Sequence, residues 1–217
     1  MNREWAELNK TMQVQLKKRE SFADGVETFC ILRSKLFQAL DELKAELNRA
    51  DFNAMPFPNA NGYHSKTIAY SIWHIARIED ITAHSLIQGD EQLFFAADYQ
   101  KRIGSPIITT GNELVGEQIS EFSRQLDLDE LYQYLADVRS STDAIVRNLE
   151  FSDLKRKMTE KDKDYLRSLR VVSSDERAVW LIDYWCGKDV RGLIQMPFSR
   201  HWIMHIEASI RIGNKLA

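Results

Sequence analysis

Five histidines are the residues in this chain best equipped to do chemistry: His64, His74, His84, His201 and His205. The last two stand in Arg200-His-Trp-Ile-Met-His-Ile-Glu207. On a helix, residues four apart share one face, so both imidazoles can point at one ion, the spacing of paired zinc ligands. Trp202, Ile203, Met204 and Ile206 around them are apolar, a setting in which uncoordinated imidazoles are costly to desolvate. His74 lies in an equally apolar stretch, between Trp73 and Ile75, and is a candidate third ligand from a facing helix. Three histidine ligands leave a coordination position open, as in catalytic rather than structural zinc sites. On spacing alone two readings stand side by side, metal ligands or hydrogen-bonded histidines of a core.

Several sharper chemistries fail on spacing. A zincin protease needs His-Glu-x-x-His, and Trp202 occupies the place of its general base. A di-iron bundle needs Glu-x-x-His on two helices, and no glutamate here has a histidine three residues later. The nine glycines are scattered and form no phosphate-binding loop. Cys30 and Cys186 have no CxxC partner and no adjacent base, which suits reduced, inert core thiols.

The elements that must position the histidines are helical. Phe29, Leu32, Leu36, Leu40, Leu43 and Leu47 alternate steps of three and four residues, and Leu128, Leu131, Leu135, Val138, Ile145 and Leu149 form a second stripe, with Thr142 at its skipped position. Asp127 and Glu130 have capping-box spacing before the second stripe, as do Ser173 and Glu176 before a helix through Trp180 and Tyr184 to about Gly187. Met55-Pro-Phe-Pro-Asn-Ala-Asn-Gly-Tyr63 reads as a loop, after which Ser65 can cap a helix from about Lys66 to Gln88, stopped by Gly89. That helix is apolar on more than one face and belongs in the middle of the structure. Residues 90–126 read as short helices and loops, and a last helix starts near Pro197. The expectation is an all-α four-helix bundle over residues 1–217 as a single domain, with residues 1–19 as an N-terminal helical extension and short helical insertions.

Composition narrows the class. A net charge of −3 argues against a nucleic-acid binder, and Lys155-Arg156-Lys157 is followed at once by acidic residues, as on a solvated face. No apolar run approaches the ~18 residues of a membrane span, and the charged N-terminus is unlike a signal peptide, so a cytoplasmic protein is expected.

Ser71-Ile-Trp-His-Ile-Ala-Arg-Ile-Glu-Asp80 resembles the second-helix segment of the DinB/YfiT-like family, whose pattern runs Trp-His-apolar-small-x-apolar-x-Asp. The order of ligands resembles that family too, with one histidine a third of the way along and a His-x3-His pair near the C-terminus. The resemblance spans roughly residues 20–215 and implies a divalent metal on His74, His201 and His205. It also implies either a thiol S-transferase using a bacillithiol- or mycothiol-type cosubstrate, or a metal-dependent hydrolase; a non-catalytic binding or structural bundle is the competing role. This chain departs from many relatives after the pair, with Ser209 where a further histidine often stands.

An all-histidine site suits zinc or nickel and also accepts iron, manganese or copper. Helical spacing places Tyr70 and Arg77 on the His74 face and Ser209 one turn beyond His205, which makes them pocket candidates. Arg77 has a competing role as an ion-pair partner of Glu79 or Asp80. Asp80 and Glu207 are candidate hydrogen-bond partners for the ligand imidazoles. His64 and His84 are set aside as surface or core residues. The expected partner is a small-molecule substrate, with neither nucleic acid nor membrane involved. The aromatic stretch Trp180-Leu-Ile-Asp-Tyr-Trp-Cys186 reads either as core or as the face of a homodimer.

Overall fold

A computed structural model describes residues 2–216. Both apolar stripes form the long helices they predict, α2 (Phe22–Glu46) and α7 (Leu128–Arg147), with Phe29, Leu32, Leu36, Leu40 and Leu43 of the first and Leu131, Leu135 and Val138 of the second buried. Before α2, α1 (Arg3–Gln15) packs along it through Trp5 and Met12. The helix that carries His74, α3 (Ile68–Asp80), is buried at every position, which explains its lack of a polar face. It runs on without a break as a π-helical stretch, Ile81–Gln88, and ends at Gly89 in the left-handed conformation, φ 78°.

Short elements follow: α4 (Leu93–Ala96), α5 (Tyr99–Ile103) and α6 (Glu117–Gln125). After α7 come α8 (Glu160–Leu169), α9 (Glu176–Cys186), α10 (Val190–Gln195) and α11 (His201–Leu216). The bundle consists of α2, α3, α7 and α11, and a second apolar cluster lies where α8, α9 and α10 cover its far end. Among the described residues there is no strand; the one bridge joins Lys157 and Asp189. Among the described residues no helix is long and apolar enough to cross a membrane.

Helix starts differ in detail from their sequence signals. Asp127 does cap α7, accepting from the Glu130 N–H at 3.0 Å, but the Glu130 carboxylate turns to Arg102 instead of closing the box. Thr67 rather than Ser65 caps α3, because residues 62–64 form a separate 3-10 turn and the Ser65 hydroxyl bonds back to the Gly62 carbonyl. Asp175 caps α9, and Ser173 accepts from the Asp175 N–H. The basic run is also not simply solvated. Arg156 donates to the Leu86 and Ile87 carbonyls (3.1 and 2.7 Å), which a π-helical C-terminus leaves without partners.

Pro197 lacks an N–H and cannot continue the regular ladder from α10. The backbone widens there into a π turn, Met196–Arg200, and side chains take up the displaced carbonyls. Ser199 Oγ donates to the Ile194 carbonyl at 2.8 Å, and Arg33 Nη1 donates to the Phe198 carbonyl at 2.8 Å. Arg33 is wholly buried and also bonds both carboxylate oxygens of Glu79, donates to Asp143, and lies over the Trp202 ring. Removing it would leave the Glu79 charge buried and unpaired, at a cost of about 3–5 kcal/mol. Urea unfolding of Arg33→Met should show that loss, and an Arg33→Met/Glu79→Leu double variant should recover a large part of it.

Candidate metal centre

His74 projects from the middle of α3, and His201 and His205 open α11 immediately after the π turn. The fold brings all three together: each offers a ring nitrogen within 4.8 Å of the others', and all three side chains are buried. Ring centroids are 5.0 Å apart for His74 and His201, 4.9 Å for His74 and His205, and 4.6 Å for His201 and His205.

Their protonation is set by burial. His74 is pushed down to about 4 by loss of solvent, only partly offset by its bond to the Thr110 carbonyl. His201 and His205 fall well below the ordinary histidine value, again through burial first and neighbouring imidazoles second. Three neutral imidazoles therefore face one another near neutral pH, each with a lone pair to give. A carbonyl only accepts, so the His74 Nδ1 at 2.7 Å from the Thr110 oxygen carries the proton and Nε2 is left as the donor to an ion. His201 Nδ1 and both ring nitrogens of His205 are buried without a hydrogen-bond partner. Orphaned buried nitrogens on converging rings fit a divalent cation and fit poorly with a purely structural histidine core.

The other candidates lie nearby in different roles. Tyr70 stacks on His74 (5.5 Å, 11° between planes) and donates its hydroxyl to the Gly111 carbonyl at 2.9 Å, so it backs the ligand and anchors the 110s loop. Arg77 is turned away into a buried network with Asp80, the Tyr134 hydroxyl, Gln92 and the Ile108 carbonyl, the ion-pair role that competed with a pocket role. Ser209 gives its hydroxyl to the His205 carbonyl at 2.9 Å. Asp80 accepts from the Leu93 and Phe94 N–H groups and from Tyr134, and Glu207 accepts from the Asn2 N–H. The partner of a ligand imidazole is thus a backbone carbonyl, which no side-chain spacing announces. His84 lies apart from the triad, between Asp90 and Ser141. His64 sits in the 3-10 turn before α3. Both cysteines are free and buried, and burial raises the Cys186 thiol to about 11.

A cavity of about 300 Å³ opens above His74 and His201. Tyr63, Asn112, Trp180, Tyr184 and Trp185 line it together with aliphatic side chains. Tyr63 also meets the His205 ring edge-on at 4.7 Å. The aromatic stretch of α9 therefore divides, with Trp185 buried and Trp180 48% exposed at the mouth.

The chain belongs to the DinB superfamily, whose model matches residues 28–173. The matched stretch contains His74 and ends before the α11 pair. Among solved structures, a crystal structure described as a conserved protein from Enterococcus faecalis superposes with a TM-score of 0.63 at 14% identity, covering 87% of this chain and 94% of that one. At that identity the likeness speaks for the fold. No curated protein matches the chain in sequence.

Gly111 holds the second layer of the site in place. Its φ is 76°, and a Cβ there would lie 3.1 Å from the Tyr70 ring. Gly111→Ala should displace the loop and loosen the Thr110 bond to His74. Zinc affinity, measured by competition with a chromophoric chelator, should fall on the order of ten-fold while the circular dichroism spectrum is unchanged.

Proposed function

We propose that this protein is a metal-dependent enzyme of the thiol S-transferase type, working on a small electrophile in the cavity above His74 and His201. The observation that carries the proposal is a cluster of three neutral imidazoles, two of them with orphaned nitrogens, whose His74 and His201 line a cavity open to solvent. A divalent ion held by those nitrogens would supply the positive charge that favours a thiolate over a thiol near neutral pH and would keep a position open for exchange.

The chain's own residues do the rest. The Thr110 carbonyl fixes the His74 ring and its tautomer, and Tyr70 stacks behind it. The aromatic walls exclude water from the electrophile and hold it beside the attacking sulfur. In the transfer the thiol proton passes to solvent, a carbon–sulfur bond forms, and the bond to the leaving group breaks with its electron pair going to that group. Thiol chemistry is favoured over hydrolysis because none of the described residues lining the cavity is a carboxylate that could serve as general base for water.

The test is conjugation of bacillithiol, mycothiol and glutathione to the fluorogenic electrophile monochlorobimane by zinc- and nickel-loaded protein. One of these thiols should be conjugated faster than background, and His205→Ala should return the rate to background. Loaded protein that conjugates none of them but hydrolyses activated esters would replace this proposal with the hydrolase.

A further inference from the structure

The walls of the cavity constrain the ligand more narrowly than its floor does. No charged side chain is among the described residues that line it. Trp180 and Tyr184 meet edge to face, with centroids 5.5 Å apart and planes at 72°, at the mouth. The Trp180 indole N–H is already given to the Arg177 carbonyl at 2.8 Å, which leaves the ring to the cavity as an apolar surface. Trp185 and Met196 continue that surface inward.

Asn112 is the one amide on the lining, and its two ends are not equivalent. Its Oδ1 already accepts from the Thr110 hydroxyl at 2.7 Å, and its amide N–H groups are the donors it brings to the lining. A donor set among aromatic walls asks for a ligand with a ring and a hydrogen-bond acceptor. An anionic ligand would have to shed its hydration against rings with no cation lining the cavity to receive it. A cationic ligand, which aromatic walls can also attract, would find no carboxylate among the described lining residues to pair with.

We infer that the cavity binds an uncharged aromatic compound bearing a carbonyl-type acceptor, its ring against Trp180 and Tyr184 and its acceptor on the Asn112 amide. As the identity of the electrophile, this rests on the S-transferase reading. As a binding statement it is independent of the ion, because the groups that make it are side chains of the walls.

The experiment uses metal-stripped protein titrated with acetophenone, benzoate and phenyltrimethylammonium, followed by ligand-observed NMR. Acetophenone should bind at least about five-fold more tightly than either charged compound, and Trp180→Ala should weaken it by about the same factor. Asn112→Asp keeps the bond from Thr110 but replaces the donor with a carboxylate, and should weaken acetophenone as well. Trp180 is a half-exposed rim residue, so its loss should leave the thermal unfolding midpoint close to that of the parent. Equal binding of a charged compound, or acetophenone binding indifferent to both substitutions, overturns the inference. Because no ion is present in the titration, that failure leaves the metal reading standing, and a failure to bind metal would leave this result standing.

Discussion

A permanently charged guanidinium in the middle of an apolar bundle has to be met by acceptors from every side, and Arg33 is met in that way. It reaches from α2 to Glu79 on α3, to Asp143 on α7, to the Phe198 carbonyl in the π turn and to the face of Trp202 on α11. Glu79 lies on the helix that carries His74, while Phe198 and Trp202 bracket His201. The same side chain thus ties together the two helices whose approach creates the histidine cluster. If the separation or rotation of α3 and α11 changed, Arg33 would lose acceptors it cannot replace in an apolar core, so this contact specifies how the helices meet as well as stabilising the bundle.

Within that frame the histidines form a site under electrostatic tension. Burial strips each imidazole of water and pushes it to the neutral form, and only His74 receives a compensating bond, from the Thr110 carbonyl. Each neutral ring carries one N–H and one lone pair, yet His201 Nδ1 and both His205 nitrogens are placed without a hydrogen-bond partner. A divalent cation would resolve the conflict for all three together, and binding it only in the folded state would add to stability. The π turn at Pro197 matters here because it opens α11 with His201 at the cavity floor and His205 one turn on, within the cluster.

Much of this was legible in the sequence, for identifiable reasons. Leu131, Leu135 and Val138 announce their helix because period and burial coincide, and His74, His201 and His205 stand out because few side chains can serve as ligands and these sit in apolar surroundings. The DinB-type segment around Trp73 and His74 favoured the metal reading of three histidines that spacing and apolar setting alone left ambiguous. What the sequence concealed is carried by backbone and loops. The Thr110 carbonyl has no side-chain signature; Tyr63 and Asn112 come from segments without periodicity; and the only local mark of the second is Gly111 with its positive φ. Arg77 has the correct spacing for the ligand face yet turns to Asp80 and Tyr134, because a fully buried guanidinium follows the nearest acceptors rather than the helix face it starts from. The capping signals at Ser65 and Ser173 were displaced by two residues each for a similar reason, since nearby Thr67 and Asp175 have side chains equally able to cap.

The central claim is that the three imidazoles hold one metal ion. The direct measurement is metal content by mass spectrometry on tag-free protein after exposure to zinc and to nickel, compared with His74→Ala and His205→Ala. The account predicts one divalent ion per chain in the parent and loss of that ion in both variants, with folding preserved. A parent protein that retains neither metal, or variants that retain it in full, would contradict the account and leave a helical bundle with three buried histidines in its core.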